Sequence, residues 1–168
     1  FKRYRYGAQI DIGLWNLYQL ANTLYPLIGE VEGLEHRLNS YNEKAQAQYL
    51  GMMQSKLGLY YDEKSDAQLI NSLEETLQLT ETDMTIFFRN LSDFSIEDPL
   101  KGLALVADAF YETNKVSDII KQKWHSWFER YAERLQKEET ASKERKEKMN
   151  QVNPKYVLRN YMAQLAID

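Results

Sequence analysis

The chain is expected to be all-α, a helical bundle of about seven helices. Three observations carry this. Apolar residues recur at spacings of three and four along most of the 168 residues, which is the periodicity of one helix face. No segment alternates apolar and polar residues as a half-buried strand would. No repeat recurs at a solenoid period.

Each element has its own signal. Ile12, Trp15, Leu20 and Leu24 mark a first helix, which Pro26 and Gly29 are expected to end. Val31, Leu34, Leu38, Tyr41, Ala45, Tyr49, Met52 and Met53 form the expected buried stripe of a long second helix, stopped at Lys56-Leu57-Gly58. Ser65 or Asp66 caps a third helix bearing Leu69, Ile70, Leu73 and Leu77. Thr80-Glu81-Thr82-Asp83 reads as another start, with Thr80 as N-cap and acids in the first turn; Met84, Phe87, Phe88 and Leu91 then face inward. Asp98-Pro99 pairs a cap with Pro at the first helical position, opening a short helix through Leu103, Val106 and Phe110. The strongest pattern runs from about Val116 to Gln136, through Ile120, Trp124, Trp127, Tyr131 and Leu135.

Residues 137–150 mix charges of both signs and read as an exposed helix extension or linker. Asn153-Pro154 breaks that run, and Val157, Leu158, Tyr161 and Leu165 begin a last helix. Tyr156, Val157 and Tyr161 are expected to dock it onto the bundle, and Arg159 to bond carbonyls or a carboxylate of another helix.

Composition bounds the function. The length suits one domain, 1–168, with a real core, and 43% apolar with 27% charged residues is ordinary for a globular chain. A net charge of -4 argues against a general nucleic-acid binder. With no Cys there is no disulfide, thiolate metal site or thiol nucleophile, which fits a reducing, cytoplasmic setting. No apolar run approaches the roughly 20 residues that span a membrane. The chain opens on Phe-Lys-Arg without a signal peptide or initiator Met, so an excised piece or a processed chain is expected.

Chemistry-bearing motifs are scarce. Gly29-x-x-x-Gly33 lacks the Lys-Ser/Thr of a phosphate loop. His36 and His125 stand far apart, in no His-x-x-x-His pair, and the Gly-x-Ser-x-Gly elbow is absent. Glu74-Glu75 and Glu97-Asp98 read as solvated faces or caps. Trp124 and Trp127 read as core rather than a ligand platform. Lys2-Arg3-Tyr4-Arg5-Tyr6 joins cations to aromatics in a way that suits phosphate or nucleotide, against the plainer reading of a cut end. Arg159-Asn160 reads as a hydrogen-bonding pair that pins the last helix.

Two stretches are more specific. Arg3-Tyr4-Arg5-Tyr6, Gln9, Ile12-Gly13-Leu14-Trp15-Asn16-Leu17 and Leu20-Ala21 resemble the "GRYxYxxQPxIxxWNLxRLA" segment of the selenoprotein O family, which includes the bacterial YdiU proteins. Asn153-Pro154-Lys155-Tyr156-Val157-Leu158-Arg159-Asn160-Tyr161 is similar to that family's "NPKYVLRNYLAQ". Leu100 to Ala109 matches loosely. Lys2 stands where the family has Gly, and Asp11 near its Pro; both touch only the start of the first helix. The resemblance implies the C-lobe and C-terminal part of a protein-kinase-like fold. It also implies a parent that moves AMP from ATP to Ser, Thr or Tyr hydroxyls of proteins, with Mg as cofactor.

The family's phosphate-binding cations, catalytic Asp and metal ligands precede "GRYxY". No catalytic, cofactor-binding or metal-ligating residue is therefore assigned within 1–168. The expected partners are the N-terminal catalytic lobe of the same protein and the parent's protein substrates, with no nucleic acid and no membrane. The role within the parent is scaffolding. Whether Arg3, Arg5 or Arg159 reaches the parent's active site stays open. A free-standing helical interaction module is the alternative.

Overall fold

A computed structural model describes residues 6–61 and 63–167. Eight α-helices follow one another among them: α1 (Gln9–Ile28), α2 (Glu32–Leu57), α3 (Asp66–Leu77), α4 (Met84–Leu91), α5 (Gly102–Leu105), α6 (Asp118–Leu135), α7 (Ser142–Val152) and α8 (Asn160–Ile167). Short 3-10 turns flank α5. The described residues hold no strand, only an isolated bridge between Thr82 and Phe110. The chain is all-α, as expected. No described helix is long and apolar enough to cross a membrane.

Two compact units divide the chain, 1–51 and 52–168. In the first, α1 and the start of α2 meet where Gly13 faces Tyr41; a Cβ at Gly13 would collide with the Tyr41 hydroxyl. Gly29 ends α1 with φ 71°, and its N–H bonds Tyr25 O at 2.8 Å. Only glycine takes that left-handed turn without strain. Pro26 does not end the helix. It lies inside the last turn and removes one N–H bond to the turn before it. The expected apolar face is not a core: Ile12 and Leu24 are half-buried, while Trp15 and Leu20 are exposed. The stripe of α2 is half-buried along most of its length and becomes core only at Met53 and Leu57; Val31 is exposed.

The second unit owns the main core. Phe87, Phe88 and Leu91 from α4 pack with Trp124, Trp127, Phe128 and Tyr131 from α6, joined by Leu69, Ile70 and Leu73 from α3. The period of α6 places its aromatics on one side, and Trp127 and Tyr131, one turn apart, stack at 5.0 Å. α5 can approach α6 because Gly102 has no Cβ; one there would strike the Phe128 ring. Trp124 is fully buried, so it is core, and not a platform. His125 lies half-buried at the edge of that core.

Further expectations fail in the folded chain. Thr80 does not cap α4. Asp83 does: its Oδ1 accepts from the Thr85 and Ile86 N–H groups at 2.9 and 3.1 Å, while the Thr80 hydroxyl pairs with Thr82. Asp98 pairs with Lys101 at 2.8 Å and caps nothing. The helix after it breaks into pieces, leaving Phe110 extended. The charged stretch 137–150 is no extension of α6. The chain turns and starts α7, which buries Arg145 and Met149. A three-to-four spacing with only two buried positions is too sparse to show in a run of charges. Lastly, α8 begins at Asn160, and Tyr156, Val157 and Tyr161 are exposed rather than docked.

Candidate functional site

The second unit is held by three clusters of polar side chains. The first gathers at the C-terminus of α2, where the last carbonyls need partners. Tyr131 Oη donates to Leu57 O at 2.6 Å and Asn153 Nδ2 donates to Lys56 O at 2.9 Å. Lys56 Nζ returns a bond to Asn153 Oδ1 at 3.2 Å. Arg89 Nη1 reaches from α4 to Asn153 O at 3.1 Å and Asn150 O at 3.3 Å, closing the end of α7. Asn153 is buried and ties α2, α4 and α7. Burial pushes the Tyr131 hydroxyl pKa up, with Arg145 beside it pulling the other way, so the phenol stays a neutral donor. Burial also lowers the pKa of Lys56.

In the second cluster, Arg134 on α6 grips Asp66 at the start of α3. Nε lies 2.5 Å from Oδ1 and Nη2 lies 3.2 Å from Oδ2, a two-pronged contact. Nη1 reaches Glu138 at 2.8 Å, and Nη2 donates to Tyr61 O. Glu138 in turn accepts from the Tyr60 and Tyr61 N–H groups, and Gln54 bonds Asp66. Burial alone would lower the pKa of Arg134, but Asp66 and Glu138 outweigh it and hold the pKa above the ordinary value. These bonds engage both oxygens of Asp66 and all three nitrogens of Arg134. Beside them is a small pocket of about 220 Å³ lined by Ser65, Gln68, Leu69, Arg130, Glu133 and Lys137 as well as Arg134. Lys137 is paired with Glu63 at 3.0 Å, so the pocket's basic lining is largely compensated.

The third cluster joins Asp83, Tyr111 and Arg159. Arg159 Nη2 lies 2.5 Å from Asp83 Oδ2, and Tyr111 Oη donates to the same oxygen at 3.2 Å. Burial would raise the carboxyl pKa of Asp83. The Ile86 N–H, the Arg159 guanidinium and the Tyr111 hydroxyl outweigh it and hold the pKa below the usual value. Arg159 therefore does bond a carboxylate of another element, as the sequence suggests, although without the expected apolar docking around it.

Arg3 and Arg5, with Lys2 and Tyr4, lie outside the described residues. The sequence reading named Asn153 as a break, Asp83 as a first-turn acid and Asp66 as a possible cap, but missed what they hold. Neither Ser65 nor Asp66 makes a cap bond to α3, and Asp66 instead bonds Arg134, which the reading did not name. The signal for Asp83 as cap was an acid just before the apolar run of α4. Among the described residues no three His, Cys, Asp or Glu side chains converge. Both buried aspartates, Asp66 and Asp83, already have arginine partners.

The model of the family described as protein adenylyltransferase SelO matches residues 1–168. The protein nucleotidyltransferase YdiU of Flavobacterium johnsoniae is 52% identical, covering 99% of this chain and 32% of the relative. Its namesakes in Rhodopirellula baltica and Aromatoleum aromaticum are 42% and 41% identical, again over 99% of this chain and 33% and 31% of their own lengths. The chain spans about a third of the length of these curated relatives. With its whole length inside the match, this chain belongs to the SelO family.

Proposed function

We propose that these residues are the helical C-terminal portion of a protein adenylyltransferase, a parent that transfers AMP from ATP to Ser, Thr or Tyr hydroxyls of proteins with Mg as cofactor. The observation that carries this is the family match over 1–168 together with its coverage of only a third of the relatives' length. The portion acts as scaffold. Phosphoryl and nucleotidyl chemistry needs carboxylate or amide oxygens free for a metal and cations free for phosphates. Here Asp66 and Asp83 are engaged by Arg134 and Arg159, and Arg89 caps α7. In our reading Mg and ATP are held by the rest of the parent, and no step of transfer is assigned to these residues.

Scaffolding has a physical counterpart in α1. Asp11 is the sole charge in its twenty residues, yet none of them is buried, and Leu27 is 83% exposed. An apolar helix face of this breadth is normally covered. In our reading the remainder of the parent covers it, and the parent works in the cytoplasm. Calorimetric titration of Mg-ATP into the purified 168-residue chain checks the reading. No binding heat is expected up to about 1 mM nucleotide, the upper end of ordinary substrate affinities. A micromolar dissociation constant would place nucleotide-binding groups in this portion and overturn the scaffold role.

A further inference from the structure

Residues 154–167 contribute no buried side chain, and Tyr156 is 81% exposed. The residue just before them is the opposite: Asn153 is buried and held by Lys56 and Arg89. A firm anchor thus gives way to an exposed segment across one peptide bond. Pro154 sits at that step, and its ring restricts its own φ and keeps Asn153 out of the helical region. Asn153 is accordingly extended, at φ -109° and ψ 91°.

Arg159 grips the body from the middle of this segment. Its side chain is 39% exposed, so water reaches the pair it forms with Asp83. Asp83 divides its work: Oδ1 holds the Thr85 and Ile86 N–H groups of α4, while Oδ2 takes Arg159 and Tyr111. Withdrawing Arg159 leaves the α4 cap and the Tyr111 bond in place and opens Oδ2 to solvent. Asp83 therefore keeps its bonds within the body when Arg159 leaves. α8 has eight residues, too few to hold a helix alone in water, so its order depends on attachment.

We propose that residues 154–167 form a strap, hinged at Asn153–Pro154 and latched by Arg159 on Asp83, which opens as a unit while the α3–α7 body stays folded. The strap does not depend on the scaffold role, and its test reads motion rather than activity. Hydrogen exchange followed by mass spectrometry on the 168-residue chain compares wild type with Arg159→Gln. In wild type, α8 amides should exchange at least about 100-fold faster than those of α6, by local opening. In Arg159→Gln the α8 rate should rise by about a further tenfold towards the unprotected limit, with α3, α4 and α6 unchanged. Wild-type α8 protected as well as α6 would overturn the strap. So would an Arg159→Gln variant with unaltered α8 exchange, or one in which α3 and α6 loosen together with α8 or the chain fails to fold.

Discussion

Asn153 shows what a single amide does when it is buried with all its partners. Its side chain closes a carbonyl at the end of α2 and accepts from Lys56, ninety-seven residues away in sequence, and its own carbonyl receives Arg89. Asn153→Ala strips Lys56 O of its donor and Lys56 Nζ of its acceptor in a part-buried place. The variant should lose about 1–3 kcal/mol in urea unfolding, the cost of leaving buried groups unpaired; a loss under about 0.5 kcal/mol would mean that water replaces the amide freely. The sequence marks Asn153-Pro154 as a break because Pro restricts its predecessor. The buried amide is invisible there, since nothing local points to a partner so far along the chain. Arg159 was more legible. A guanidinium in a mostly apolar stretch seeks an acceptor, and it finds Asp83. Arg134 and Asp66 were not, because each alone looks like an ordinary charge on a helix.

At the scale of elements, the aromatic period of α6 forecasts its boundaries to within two residues and the burial of Trp124, Trp127, Tyr131 and Leu135, while Ile120 is only half-buried and the buried Phe128, Ala132 and Arg134 lie outside the forecast stripe. Large side chains at steps of three and four admit one burial pattern. Trp124→Ala should cost roughly 3–5 kcal/mol through lost transfer energy and a cavity, read from the denaturant midpoint with unchanged slope. Gly58 is likewise read correctly as the stop of α2, but for half of the reason. Its φ is 70°, and in addition a Cβ there would lie 2.8 Å from Arg145 Cγ and Met149 Sδ of α7. Gly58→Ala should therefore destabilise by about 2–4 kcal/mol, strain and overpacking together. Gly51→Ala, in the same helix with open space around it, should stabilise by about 0.5–1 kcal/mol. Equal effects at the two positions would refute the crossing of α7 over Gly58. The packing of α7 and the exposure of α1 escaped the sequence for a shared reason: periodicity says which face is apolar, and says nothing of what lies opposite.

For the whole molecule, the fold and the family are legible from two short segments and a helical period, while the candidate site is an arrangement of caps and ion pairs that only the folded chain reveals. The buried charges among the described residues hold structure together. Asp66 pairs with Arg134, both of them buried, and Arg145 donates to the Phe94 carbonyl at 2.5 Å. Burying ions is costly unless they are paired, so Asp66 and Arg134 are committed to joining α3 to α6 and are poorly placed to change partners during a reaction. The central claim is that this portion supports AMP transfer without performing it. The direct measurement is transfer of labelled AMP from ATP to a protein acceptor in the presence of Mg, comparing the 168-residue chain with its full-length parent. Labelled protein is expected from the parent and none above background from the chain alone. Label transferred by the chain alone, and abolished by changing an acidic residue within it, would contradict the claim.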